Sequence, residues 1–216
     1  MSCCSHCAAT ASKFDPKHAE NDRARYQRRG PDRTTRLIVE QLRTVTRSGD
    51  TLLDVGGGIG VIGLELQPSG LREIVLVDAA PGALSVAERL FANARSSARF
   101  QTLTGDFVDF PEPLTADIVT LDRVVCCYPD YVALLERAAA SARRTLVLSF
   151  PRDRWFVRLR VAAENFFNRL RRNAFRTYVH PEAAMIAVIR AAGFDLVVRR
   201  STLEWYIDHW GRSASI

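Results

Sequence analysis

The sequence predicts an α/β fold: an open, mostly parallel sheet with helices on its faces. Three observations carry this expectation. Thr51-Leu52-Leu53-Asp54-Val55 is a short run with β propensity that empties into Gly56-Gly57-Gly58, and an apolar run at helical spacing follows from about Ile59; this reads as strand, tight turn, helix. Apolar runs of strand length recur between helical stretches at 74–78, 100–104, 116–121 and 145–150. Asp78, Asp106 and Asp122 stand at the carboxyl ends of three of these runs, where open α/β sheets bind their ligands.

At 216 residues, 47% hydrophobic and 25% charged, the chain is sized and composed for one domain with small additions. The net charge of +6 is nearly all arginine, since Lys13 and Lys17 are the only lysines. Guanidinium groups pair with carboxylates and phosphates in a bidentate way. The arginines are dispersed, without a recognition helix or a set of stacking aromatics, so no nucleic-acid partner is expected. No run of about 18 apolar residues is present, so no transmembrane helix is expected, and the N-terminus lacks a signal-peptide pattern. Five cysteines in two tight groups do not resemble a disulfide framework, which predicts reduced thiols and a cytoplasmic protein.

Residues 1–12 are small and polar apart from Cys3, Cys4, Cys7 and His6, and read as a mobile tail. Asp15 to Arg29 is strongly charged and predicts a basic helix, broken at Gly30-Pro31-Asp32. The next helix presents Leu37, Ile38, Leu42 and Val45 on one face, and Ser48-Gly49-Asp50 turns into the first strand. The chain thus divides into a Cys-containing tail with a basic helix over 1–31 and a main domain over 32–216. Pro81 opens the helix after the second strand, and Leu134, Leu135 and Ala138 mark the helix after the fourth. Beyond Pro151 the alternation stops for a helical insert at about 152–180. Its stripe of Trp155, Leu159, Ala162, Phe166 and Leu170 is surrounded by arginines. Three readings stand for that stripe: packing over the sheet edge, a lid whose arginines meet an anionic substrate, or weak membrane-surface contact through 152–176. Pro181 opens a last helix capped by Gly193, and 194–198 and 202–207 read as two closing strands.

Two cofactors fit the glycine loop. Gly58-x-Gly60-x-x-Gly63 matches the dinucleotide fingerprint and points to an NAD-dependent oxidoreductase. Gly56-x-Gly58-x-Gly60 preceded by Asp54 instead resembles the loop of class I S-adenosylmethionine (SAM) methyltransferases. A carboxylate two residues before the first glycine repels a pyrophosphate, but suits a ligand carrying an ammonium and a sulfonium. Asp78, about 20 residues past the glycines, is placed for ribose hydroxyls with either cofactor, and Asp106 with Phe107 for an adenine amino group and ring.

With the loop and all three acids in place, residues 32–208 resemble a class I SAM-dependent methyltransferase. The resemblance implies a Rossmann-like three-layer sandwich whose seven-stranded, mostly parallel sheet has an antiparallel last strand. It implies that Asp54, Gly56, Gly58 and Gly60 border the methionine part of SAM, Asp78 the ribose, Asp106 and Phe107 the adenine, and Asp122 with Arg123 the strand-four side. Within the class, Phe175-Arg176-Thr177-Tyr178-Val179-His180 and Ala191-Ala192-Gly193-Phe194 are similar to magnesium-protoporphyrin O-methyltransferase-like proteins, which methylate a propionate carboxylate. Cys126-Cys127-Tyr128-Pro129-Asp130 and the cysteine-rich N-terminus depart from that family, so the class is carried over and the substrate is not.

Methyl transfer from a sulfonium is an in-line displacement that needs alignment and desolvation more than proton chemistry. Tyr128, His180 and His209 are the candidate bases for a hydroxyl or amine acceptor, Tyr128 foremost because it follows strand four. Cys126 and Cys127 read as buried apolar residues or as substrate contacts. Together with Cys3, Cys4 and Cys7 they would make a soft site for a thiophilic metalloid, and arsenite methyltransferases resemble this in using cysteines beside a SAM fold. No metal site is assigned, because one Cys-x-x-Cys falls short of a zinc ligand set. The expected function is a SAM-dependent methyltransferase acting at O, N or S of a small, anionic acceptor. A thiol-dependent metalloid methyltransferase, an NAD-dependent oxidoreductase and a non-catalytic SAM-binding regulator are the alternatives.

Overall fold

A computed structural model describes residues 5–94 and 97–213 of the chain. Its strands are β1 (Thr51–Val55), β2 (Glu73–Asp78), β3 (Arg99–Thr104), β4 (Ala116–Asp122), β5 (Ala142–Pro151), β6 (Phe194–Ser201) and β7 (Trp205–Arg212). They form one sheet in the order β3-β2-β1-β4-β5-β7-β6. The first five pair in parallel, and β7 runs antiparallel to both of its neighbours. The expected Rossmann-like sheet with an antiparallel last strand is therefore present.

Alternation along the strands explains the layers. Leu52, Ile74, Ile118 and Val147 pack with α3 (Arg33–Arg43), α4 (Val61–Leu66) and Phe91 of α5 (Pro81–Asn93). Leu53, Val119, Leu146 and Leu148 face the other way, onto α6 (Tyr131–Ser141) and α8 (Glu182–Ala191). Both faces of the central strands are covered, so they read as continuous apolar runs. Boundaries shift at the closing hairpin: Thr202 belongs to its turn, where its hydroxyl accepts from the Trp205 N–H at 3.0 Å, and β7 begins at Trp205. The buried Asp208 is held there by a bidentate pair with Arg199 at 2.6 and 2.7 Å.

Two further segments close over the carboxyl edge of the sheet. Ser5–Lys13 forms helix α1, where composition predicted a mobile tail; burial of Cys7 and Ala9 supplies the apolar contact that docks it. Cys3, Cys4 and the side chain of His6 lie outside the described residues. Helix α2 (Pro16–Arg29) starts at the Asp15 cap, whose carboxylate accepts from the His18 N–H at 2.8 Å, and packs through Ala19 against Ala80, Ala83 and Val86. The insert is helix α7 (Trp155–Leu170) followed by an extended return.

Leu42→Ala empties a fully buried position under α3 and should cost about 2–5 kcal/mol in chemical denaturation. Leu159→Ala, on the exposed side of α7, should change stability by about 0.5 kcal/mol or less in the same assay.

Candidate active site

Asp54 lies on the α3 face of β1, opposite Thr120 of β4 in register. The Thr120 hydroxyl donates to its Oδ1 at 2.6 Å, while Oδ2 is buried without a hydrogen-bond partner among the described residues. A Cβ on Gly57 would come within 2.2 Å of that Oδ2, so the turn passes directly over the carboxyl group and only glycine fits. Gly60 then caps α4 with φ 76°, a left-handed conformation that favours glycine. Burial, offset in part by the Thr120 hydrogen bond and reinforced by the charges of Asp122 and Asp78, pushes the Asp54 carboxyl up to about 7.

The turn forms the floor of a cavity of about 650 Å³ over the carboxyl ends of β1, β2 and β4. Gly56, Gly58, Asp78, Asp106, Phe107, Asp122 and Arg123 all line it; Asp54 and Gly60 do not, lying beneath and behind the turn. A Cβ on Gly58 would meet nothing within 4 Å, so that position faces the open space. Asp78 accepts from the Gly58 N–H at 2.9 Å and the Ala80 N–H at 2.8 Å, which fixes the turn from the side. Burial pushes its carboxyl up against those two bonds.

The strand-four end is held more tightly than its sequence suggests. Asp122 accepts from the Ser149 and Thr35 hydroxyls, each at 2.6 Å. Arg123 adopts φ 60°, donates its N–H to Ser149 Oγ at 2.8 Å, and pairs with Asp32 at 2.8 Å. Burial works against the charge of both partners, yet the mutual attraction wins: Asp32 is lowered and Arg123 raised from their ordinary values. The network ties the N-terminus of α3 to the sheet.

The three predicted bases are not placed for proton abstraction. The Tyr128 hydroxyl donates to Asp106 Oδ1 at 2.9 Å, and burial plus that carboxylate push the phenol well up, so it stays protonated. The Nε2 of His180 sits 3.1 Å from the Val125 carbonyl and 3.0 Å from that of Tyr128, the geometry of a shared donor pinning this loop. Burial lowers its pKa, as it does for His209, which is buried in β7. Neither ring lines the cavity. Among the described residues, the imidazole that does is His18, 3.4 Å from Asp22 one helical turn on.

Cys7 reaches the cavity from the N-terminal helix, and Cys126 and Cys127 reach it from the middle of the chain. The Cys7 thiol faces Asp106 Oδ2 at 3.4 Å, and the Cys126 and Cys127 sulfurs are 3.5 Å apart, with Cys126 also donating to the Arg123 carbonyl. The contact with Cys127, together with burial, raises the Cys126 thiol well above its ordinary value. Among the described residues no three His, Cys, Asp or Glu side chains are grouped to hold a metal ion. The remaining wall comes from residues that no motif marked: Lys13, Arg25 and Trp205, with Arg160 and Glu164 from the inner side of α7. A signal existed only for Thr120, a polar residue inside an apolar strand run, and for Asp32, a helix cap.

Residues 19–121 match the family model of the methyltransferase small domain. Over 90 residues the chain is 28% identical to the ribosomal protein L11 methyltransferase of Leuconostoc citreum strain KM20; the alignment covers 42% of this chain and only 28% of that protein's length. The magnesium protoporphyrin IX methyltransferase of Synechocystis PCC 6803 with bound SAH superimposes with a TM-score of 0.74 at 19% identity, over 94% of this chain and 98% of that one. With bound SAM the score is 0.73 at 19% identity, over 99% and 100%. An O-methyltransferase family protein of Burkholderia thailandensis superimposes at 0.69 and 16% identity, over 94% of this chain and 62% of its own. At these identities the structural likeness establishes the fold.

Asp54 makes the stability of this site pH-dependent. The folded protein keeps a proton on it up to about pH 7, whereas a free aspartate releases its proton near 3.8. The folded state therefore binds more protons in that window, and stability falls as pH rises through it and levels off above. Urea midpoints across this range should show the fall, and Asp54→Asn should remove that component.

Proposed function

We propose that this chain, which has the fold of class I SAM-dependent methyltransferases, transfers a methyl group from SAM to a carboxylate oxygen of a small, anionic acceptor. One observation carries the cofactor half of this reading. Asp54 lies beneath the glycine turn, Asp78 accepts its Gly58 N–H at 2.9 Å, Asp122 lines the same cavity, and the turn itself leaves open space above Gly58. Such a set attracts a cation and repels a pyrophosphate. The antiparallel β7 between β5 and β6 also departs from the 3-2-1-4-5-6 order of dinucleotide-binding sheets, which weighs against the NAD reading.

In this reading Gly56 and Gly58 admit the amino-acid end of SAM, with Asp54 shaping the turn from beneath. Asp78 takes the ribose hydroxyls with the lone pairs its two backbone donors leave unused, and Asp106 with Phe107 meets the adenine. Asp122 and Arg123 set the strand-four wall. SAM, when bound, supplies an electrophilic methyl group on a sulfonium. The chain's own contribution is to align an acceptor with that group and to keep water away, which α1, α2 and α7 do by closing over the turn.

Lys13, Arg25 and Arg160 place cationic groups in the acceptor wall, paired with Glu164 at 3.9 Å, Asp22 at 3.3 Å and Glu204 at 3.2 Å, and an anionic acceptor would exchange for these partners. An acceptor already ionised needs no base, in keeping with the protonated state of Tyr128. A hydroxyl acceptor is the second reading, favoured by the His18–Asp22 pair at 3.4 Å. The covered cavity speaks for a small acceptor over a protein such as the one named for the Leuconostoc relative. The thiol-dependent metalloid reading lacks a third grouped ligand among the described residues.

Calorimetry with SAM tests the cofactor half. Gly58→Val should abolish binding by filling the floor, and Asp78→Ala should weaken it by about 1–3 kcal/mol; wild-type affinity in either folded variant counts against this placement. The acceptor half is tested by SAH release and product mass with carboxylic acids set against alcohols and amines. For a carboxylate acceptor, Tyr128→Phe and His18→Gln should each leave the shape of the pH–rate profile unchanged. A fall in kcat of about a hundredfold or more in His18→Gln would instead favour the hydroxyl reading.

A further inference from the structure

Helix α7 has two apolar faces, and only one is used by the fold. Val157 and Val161 are buried against the body of the protein, whereas Trp155, Leu159, Phe166 and Leu170 are 77%, 63%, 63% and 70% exposed. These four recur at intervals of four, seven and four residues, so they form one narrow ridge about 22 Å long, opposite the buried side. Phe167, also exposed, widens it.

The charges around the ridge have one sign. At 100° per residue, Arg158 and Arg169 fall along one flank of the ridge, and Arg171 and Arg172 follow directly at the C-terminal end of the helix. The acids of this region are turned elsewhere or already paired: Asp153 with Arg158, Glu204 with Arg160 at 3.2 Å, and Glu164 toward Lys13 at 3.9 Å. Arg169, Arg171 and Arg172 have no ion pair among the described residues. The turn between β6 and β7, tied to α7 through Glu204, brings the exposed Leu203 beside it.

We propose that the outer face of α7 seats this protein on an anionic lipid surface, its aromatic and leucine ridge entering the headgroup–acyl boundary and its flanking arginines lying among the lipid phosphates. The charge pattern selects this occupant. A second copy packed ridge to ridge would bring these arginines against arginines, whereas lipid phosphates neutralise them and leave the ridge in an apolar layer. No helix among the described residues is long and apolar enough to cross a membrane, so the contact is peripheral. The inner side of the same helix contributes Arg160 and Glu164 to the cavity wall, so a seated protein holds its acceptor cavity beside the bilayer surface.

The test is co-sedimentation of the full chain with vesicles of equal parts phosphatidylcholine and phosphatidylglycerol, against phosphatidylcholine alone. Binding should be roughly tenfold or more stronger to the anionic vesicles and should weaken on raising salt to about 0.5 M. Leu159→Glu/Phe166→Glu should lose binding by roughly tenfold or more, while circular dichroism and thermal melting show the fold retained. Arg169→Gln/Arg172→Gln should lower affinity for anionic vesicles only. Absence of binding to anionic vesicles, or binding that the ridge variant leaves intact, overturns the proposal. So does a dimer in solution that the ridge variant dissociates, without vesicle binding by the wild type. None of these readouts requires SAM, so the outcome is separate from that of the methyltransferase reading.

Discussion

Asp54 carries a carboxyl group into the interior of the sheet, where Thr120 donates to one oxygen and the backbone of Gly57 passes over the other. A charge in that position is expensive, so the carboxyl group keeps its proton up to about pH 7, and the turn above is built around it. The side chain fills the space that a Cβ at Gly57 would need, which lets the chain leave β1 and double back within a few residues. Asp78 completes the arrangement from the neighbouring strand by taking the Gly58 N–H. The shape of the turn and the pH sensitivity of the site both follow from this one buried acid.

The cover over the turn is assembled differently. It uses a chain of polar contacts between distant segments: the Cys7 thiol to Asp106, and Asp106 to Tyr128. His180 fixes the next link through the carbonyls of Val125 and Tyr128. Side chains that resemble catalytic groups in isolation are therefore bracing groups. Their hydrogen-bonding capacity is spent on positioning the walls, and the site is left with alignment and electrostatics as its means of catalysis.

Much of the architecture was legible from residue order. The β1 run, the glycines after it and the carboxylates at 78, 106 and 122 are local patterns, and strand-turn-helix geometry makes them converge without further information. The layer assignment was legible for the same reason, because alternation sends Leu52 and Leu53 to opposite faces. Illegible were the partners across long separations. Thr35 and Asp32 hold the strand-four end from 87 and 91 positions away, and nothing in their local sequence names Asp122 or Arg123. The N-terminal segment was misread because a composition of small polar residues gives no periodicity, while two small buried side chains suffice to dock a short helix on a surface already formed.

Helix α7 shows both halves of this division. Its apolar stripe and arginines are visible in the order of residues, since helical periodicity depends only on neighbours within a few turns. Which side of the helix meets the protein is not visible, because both of its faces carry apolar residues. Only the assembled fold, in which Asn165 and Asn168 tie the helix to Thr177 and Phe175, buries Val157 and Val161 and leaves Trp155, Leu159, Phe166 and Leu170 outside. Local spacing determined that this protein would have a glycine turn, strand-end acids and an amphipathic insert. Which carboxyl groups are buried, which hydroxyls and imidazoles are already engaged, and which face of the insert meets solvent were decided by tertiary contacts, since burial and hydrogen bonding are properties of the assembled chain.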